Sequence, residues 1–279
     1  MTKLLPIFVL LSCLVFLAQA AEQVYQNDEL TITKLEDNMW VLETNDNTTM
    51  YLVEGTQKAL LIDTGTRIAK LDSIITLITK KPLEVVISHA HHDHDGNIGF
   101  FKEIWMHPAD TVLFNKAYQG KVHFVKDGDL FDLGGTLLEV SHMPGHTPGS
   151  IVLLDRKAGN CFSGDAFGSN HVWLQLKPLS PIQTYIESCL KMEKLMDSGI
   201  TKVYCGHYVY VKKPYDKSYI TTMRQLAESL SKGTAPAPQP YSAKVGCPNP
   251  MSVTSGSATI VYDPDYIKFQ KTRTGNGYH

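Results

Sequence analysis

An α/β domain is the fold class this sequence predicts, and three observations carry it. Stretches with strand character alternate with stretches of helical spacing along most of the chain. The segment LEVVISHA is continuously apolar, which suits a strand covered on both faces. The residues richest in chemistry fall where strands run out, the place at which α/β folds collect side chains from distant parts of the chain.

Residues 30–65 read as strands. LTITKL alternates, NMWVLET follows, and TMYLVEG and ALLIDTG are separated by a turn at Gly55. IAKLDSIITLITK places Ile68, Leu71, Ile74, Ile75 and Ile78 at helical spacing. LEVVISHA is the next strand. GNIGFFKEI and PADTVLFNKAY read as short helices flanking a strand at EIWMH. DLFDLGGTLLEVSHM predicts a strand pair turning at Gly134-Gly135, and SIVLLDRKAGNCFSGD predicts another turning at Gly159-Asn160. PIQTYIESCLKMEKLMDSG is an amphipathic helix ending at Gly199, TKVYCGH a short strand, and YITTMRQLAESLSKG a last helix capped by Gly233. Beyond Gly233 the chain becomes Pro-rich and reads as extended, leading into SATIVYDPDYIKF as one edge strand. Residues 234–279 are expected to form an appendage packing on a domain at 21–233.

The first twenty residues stand outside that domain. One Lys, an apolar run and Ala18-Gln19-Ala20 make a signal peptide with cleavage before Ala21, so the mature chain is expected to be secreted or periplasmic. The run contains Pro6 and falls short of the ~20 apolar residues of a spanning helix. A lipoprotein reading through Cys13 is weaker, because the apolar run continues past it. No transmembrane segment is expected in the mature chain. A net charge of −2 points to no nucleic-acid partner. Cys161, Cys189, Cys205 and Cys247 lack a framework spacing and a CxxC pair, and both disulfides and buried thiols stay open. Asn47-Thr48-Thr49 is a glycosylation sequon only in a eukaryotic secretory host.

Within ISHAHHDHDGN, seven consecutive positions hold four histidines and two aspartates. Only 11 of the 279 residues are His, so the cluster is far denser than composition explains. It follows the LEVVIS strand directly. His146 follows LLEVSHMPG, Asp165 follows NCFSG, and His207 follows KVYCG. Gly145, Gly164 and Gly206 each precede one of these residues, where a glycine permits a sharp turn and a close backbone approach.

The pattern His89-x-His91-x-Asp93-His94, then His146 in PGHTPGS, Asp165 in SGDAF and His207 in CGH, resembles the metallo-β-lactamase-fold superfamily. Asp63 in LIDTG matches that superfamily's first motif. The five motifs occur in order, and the match runs from about Leu30 to Leu230. The resemblance implies an αβ/βα four-layer sandwich with a two-metal site at one edge of the sheets. By position, His89, His91 and His146 would hold the first metal, and Asp93, His94 and His207 the second, with Asp165 bridging. His92 and Asp95 fall at variable positions.

Imidazole and carboxylate ligands without thiolate suit zinc, and also iron or manganese. Three His on one metal leave a position open, as in a catalytic zinc site. The implied cofactor is two Zn2+, activating a shared hydroxide. Asp93 would orient it and pass a proton to the leaving group, the catalytic role. Asp63 would hold the loop and a ligand imidazole by hydrogen bonds. The bridging Asp165 points to the glyoxalase II-like branch, and so to an exported hydrolase cleaving an ester, thioester, lactone or lactam bond in a small-molecule substrate. Two further readings remain: a mononuclear iron oxygenase of the persulfide dioxygenase type, and a catalytically silent binding protein. Phe167, Trp173, Tyr208 and Tyr210 are candidate pocket residues, Tyr208 and Tyr210 rather as wall aromatics than as donors. His142 reads as structural. His107, His123 and His171 lie outside every motif.

Overall fold

The structure, a computed structural model, describes residues 21–268. The signal peptide expected at residues 1–20 lies outside the described residues. Two large sheets face each other. The first holds eight strands in chain order: β1 (Glu22–Gln26), β2 (Leu30–Glu36), β3 (Met39–Thr44), β4 (Thr49–Glu54), β5 (Ala59–Ile62), β6 (Leu83–Val86), β7 (Glu103–Met106) and β8 (Lys121–Phe124). β1 to β5 pair antiparallel, and β5 to β8 pair parallel. The second sheet is built from β9 (Leu130–Asp132), β10 (Leu137–His142), β11 (Ile151–Asp155), β12 (Asn160–Gly164) and β14 (Lys202–Cys205). Their order across it is β14-β12-β11-β10-β9.

Side chains alternate between two environments along each strand, as the period of two requires. In β3, Met39 and Val41 face the second sheet, while Trp40 and Leu42 face a helical layer. In β5, Leu60 and Ile62 point inward and Ala59 and Leu61 outward. From the other side, Leu138, Val140, Leu153 and Phe162 fill the space between the sheets. The outer face of the first sheet is covered by α1 (Leu71–Ile78) through Leu71, Ile74 and Ile75. The outer face of the second is covered by α3 (Ile182–Asp197) and α4 (Lys217–Lys232), whose buried faces include Ile186, Cys189, Met223 and Leu226. The layers run helix, sheet, sheet, helix. Asp216 caps α4 by accepting from the Ser218 and Tyr219 amides, and Gly233 ends it at φ 75°.

Several elements depart from the sequence reading. α1 starts at Leu71 rather than near Ile68, because Arg67 and Lys70 take left-handed backbone angles of 58° and 57°. The segments around Ile98 and Pro108 form 3-10 turns only. The region after Gly233 contributes three strands, not one edge strand. β16 (Met251–Ser255) and β17 (Ala258–Tyr262) form a hairpin around Gly256, φ 58°. β17 is central and fully buried, pairing parallel with β13 (His171–Trp173), while β15 (Gln239–Pro240) pairs with β16. This third sheet packs on the α3/α4 side, with Val253, Ala258 and Ile260 in that core. All four cysteines of the described residues are buried free thiols. Burial pushes the Cys189 and Cys205 thiols up to about 12.

Candidate metal centre

Three strand ends of the two sheets and one short helical turn converge at one edge of the sandwich. β6 runs out into Ser88 and His89, and the chain then turns into α2 (His92–Asp95). His146 lies in the loop between β10 and β11, Asp165 follows β12, and His207 follows β14. The ligand atoms of His89, His91 and His146 form one cluster within 4.8 Å, as do those of Asp93, His94 and His207, and those of His89, His94 and Asp165. Asp165 touches both halves. Its Oδ2 is 3.8 Å from His146 Nε2 and 3.2 Å from His207 Nε2, and its Oδ1 is 3.7 Å from His94 Nε2. Asp93 Oδ2 stands 3.5 Å from both His94 Nε2 and His207 Nε2.

The ring nitrogens facing away from the cluster are held. Asp63 Oδ2 accepts from His94 Nδ1 at 2.8 Å and from the Ser88 hydroxyl at 2.8 Å, and its Oδ1 accepts from the Ser88 amide at 2.7 Å. Ser88 Oγ is 3.1 Å from His89 Nδ1. His146 Nδ1 donates to the Trp173 carbonyl at 2.8 Å, and His207 Nδ1 to the Asn47 carbonyl at 2.8 Å. Each bond orients its ring and turns Nε2 toward the cluster. His91 is oriented differently, with Nδ1 3.0 Å from His146 Nε2.

The inward atoms fit a metal. His89 Nε2, His94 Nε2 and Asp165 Oδ1 are buried without a hydrogen-bond partner, a costly condition for polar atoms that a cation removes. The electrostatics divide the cluster. Burial, reinforced by neighbouring imidazoles, holds His89 well below its ordinary value, and burial with His146 brings His91 down to about 3. Burial also lowers His146. For His94 burial acts downward, but Asp93, Asp165 and Asp63 outweigh it and raise the ring. His207 is likewise raised, Asp165 prevailing over burial. For Asp165 burial acts upward, but His207 and His94 outweigh it and keep the group ionised. Neutral imidazoles on one side and a retained carboxylate between the halves are the protonation states that metal ligation needs.

Glycines permit the close packing. A Cβ on Gly206 would lie 2.5 Å from Asp165 Oδ1 and 2.6 Å from His94 Cε1, and one on Gly164, at φ 46°, would meet Ser88 Oγ. His92 turns outward to Thr66 Oγ1 at 3.2 Å. His142 stays outside the cluster, stacked on His107 at 3.9 Å, with Nε2 donating to the Pro148 carbonyl.

A cavity of about 900 Å³ opens at the cluster, with Asp93 and Asp165 among its lining residues. Trp173 and Tyr210 line it. Phe167 and Tyr208 do not, which corrects the pocket expectation for both. The Phe167 ring is fully buried in the core under α3 and α4, and Tyr208 packs between the sheets beside Tyr204. His171, expected on no motif, is at the wall. Asp110 is a functional position that sequence reasoning missed. Its carboxylate is buried and accepts from the Ala90 amide at 2.9 Å, the Thr147 hydroxyl at 2.8 Å and the Gly149 amide at 2.5 Å. It thereby ties the His89–His94 segment to the loop bearing His146. A lone Asp in a helical-looking segment carries no pattern that would reveal this.

The family model described as the metallo-beta-lactamase superfamily matches residues 44–207. The acyl-coenzyme A thioesterase MBLAC2 of Gallus gallus is 30% identical over 208 residues, 60% of this chain and 74% of that protein. The Homo sapiens protein of the same name is 29% identical over 211 residues, covering 60% and 75%. Among solved structures, a metallo-beta-lactamase from Pontibacter korlensis superposes with a TM-score of 0.58 at 19% identity, over 72% of this chain and 99% of that one, a likeness of fold. With its model spanning over half the chain and all five of its motifs gathered at one edge of the sandwich, the metallo-beta-lactamase superfamily is the family to which this chain belongs.

Proposed function

We propose that the chain is a dinuclear zinc hydrolase of the glyoxalase II-like branch that cleaves thioesters. The observation carrying this reading is the convergence of seven metal-avid side chains, among which His89 Nε2, His94 Nε2 and Asp165 Oδ1 are buried without a hydrogen-bond partner. A metal-dependent hydrolase follows from the family and from the relatives named as thioesterases. The thioester comes to this chain from those names. Asp165, within 4 Å of ligand nitrogens of both halves, supports the bridging assignment and the branch. The second cluster, Asp93 with His94 and His207, favours two metals over a mononuclear oxygenase.

His89, His91 and His146 would hold one ion, Asp93, His94 and His207 the other, with Asp165 shared. Two zinc ions held there supply Lewis acidity that polarises a substrate carbonyl and acidifies water. Asp93 serves as the proton carrier. Its carboxylate is the more exposed of the cluster's two, at 41%, and it lines the cavity, so the carboxylate can take a proton from water and return it to the departing thiolate. Asp63 and Ser88 keep the ligand rings from rotating. The apolar leader at residues 1–20 supports a place outside the cytoplasm, secreted or periplasmic, and no helix among the described residues is long and apolar enough to cross a membrane.

The test is turnover of a panel of thioesters, esters, lactones and β-lactams by the zinc-loaded chain and by Asp165→Ala. Thioesters should be cleaved preferentially, and Asp165→Ala should lose both metal and turnover. Unchanged turnover in that variant would remove the bridging role.

A further inference from the structure

The cavity over the metal centre is lined in part by a segment of the chain that lies beyond the family match at 44–207. Tyr241, Val245 and Gly246 form part of its wall. That wall is anchored. The Tyr241 amide donates to the Pro250 carbonyl at 2.9 Å, next to the β15–β16 pairing. Gly246, at φ 81°, sits so close to the Gln175 backbone that a Cβ would lie 2.3 Å from its carbonyl oxygen. The Tyr241 ring meets Trp173 edge-on, centroids 6.0 Å apart at 81°, and His171 at 6.0 Å.

The wall is apolar and partly open. Val245 is 48% exposed and Tyr210 is 61% exposed at the mouth. Leu113 and Leu176 continue the apolar lining. Lys177 is the one lysine or arginine among the lining residues described, and no carboxylate pairs with it among the described residues. A coenzyme A nucleotide bears several phosphate charges, which one lysine does not balance. The acyl side of a thioester, not the nucleotide, matches the chemistry of this cavity, whose volume is that of a small-molecule site.

We propose that the tail segment Tyr241–Gly246, with Trp173, is the specificity wall of the site and selects thioesters by the apolar bulk of their acyl group. This deepens the thioester reading given above and rests on it. The mechanism is desolvation of hydrocarbon against Tyr241, Val245 and Trp173, which strengthens with each buried methylene.

The experiment compares hydrolysis of acetyl-, butanoyl-, octanoyl- and dodecanoyl-coenzyme A by the zinc-loaded chain of residues 21–279, by Tyr241→Ala and by Val245→Asp. kcat/KM should rise with acyl length in the parent chain. Each substitution should lower it for dodecanoyl by on the order of tenfold, mostly through KM, and leave acetyl within about twofold. Both variants should keep their zinc content and their melting behaviour, and two different variants keep the result readable should one misfold. A loss uniform across acyl lengths, or no loss, overturns the proposal. If the parent chain cleaves no thioester, the thioester reading itself fails, and the wall is then read by calorimetric binding of dodecanoate against butanoate. A preference for dodecanoate that Tyr241→Ala erases supports the wall, and equal binding of the two acids overturns it.

Discussion

Asp63 shows what one residue does at this centre. It sits at φ 64°, a conformation that Asp and Asn tolerate better than most residues, and from there its two oxygens serve Ser88 and His94. Asp63→Asn keeps the backbone preference but loses the carboxylate that accepts from His94 Nδ1. Zinc affinity should fall about 10- to 100-fold, measured by competition with a chromogenic chelator. An affinity equal to that of the parent would deny Asp63 its orienting role. Asp110→Ala should instead act on stability. It strands the buried Ala90 and Gly149 amides and should cost about 3 kcal/mol in a denaturant titration. A change within about 0.5 kcal/mol would mean that water replaces the carboxylate without penalty. The seven side chains that converge here were legible in the sequence, because they are metal-avid residues grouped in one dense cluster and in the segments that follow later strands. The Trp173 and Asn47 carbonyls that hold His146 and His207 were not, since a backbone acceptor leaves no mark on residue type. Phe167 and Tyr208 misled because proximity in sequence to a ligand does not decide which way a ring points.

At the scale of elements, the long periodic segments read correctly, and the short or polar ones did not. β13 has three residues, and β8 is a half-exposed edge strand. Neither offers enough alternation to register. The hairpin of β16 and β17 was read only in its second half, because the edge strand was begun at Ser257 and the residues before the turn at Gly256 were given no element. The turn after β7 carries a pH-dependent contact. His107 caps the 3-10 helix at Pro108–Val112 by accepting from the Ala109 amide through Nδ1, and it stacks on His142. Burial, then the neighbouring His142, brings His107 down to about 4. A lowered imidazole binds fewer protons folded than unfolded between 6.5 and about 4, so its contribution to stability is intact above 6.5 and is lost as pH falls through that window. His107→Asn retains a capping side chain. Its melting temperature should fall less steeply than that of the parent between pH 6.5 and 4, and parallel curves would contradict the assignment.

Across the whole molecule, two sheets built from different halves of the chain bring their strand ends to one edge. The first sheet delivers His89 to His94, the second delivers His146, Asp165 and His207, and Asp63 and Asp110 lock the two sets of loops in place. The alternation of strands and helices made the α/β class visible, while the sandwich of layers came from the family resemblance. The role of the tail was invisible in its sequence, because a Pro-rich stretch announces extended backbone but not what it lies against. In the fold it reaches the cavity through Tyr241 and Val245, and through β17 it supports the strand whose Trp173 carbonyl holds His146. The central claim is that this edge is a two-metal centre. Elemental analysis of the purified chain of residues 21–279, prepared without added metal, tests it most directly. About two zinc ions per chain are expected. One iron per chain, or no retained metal, would contradict it.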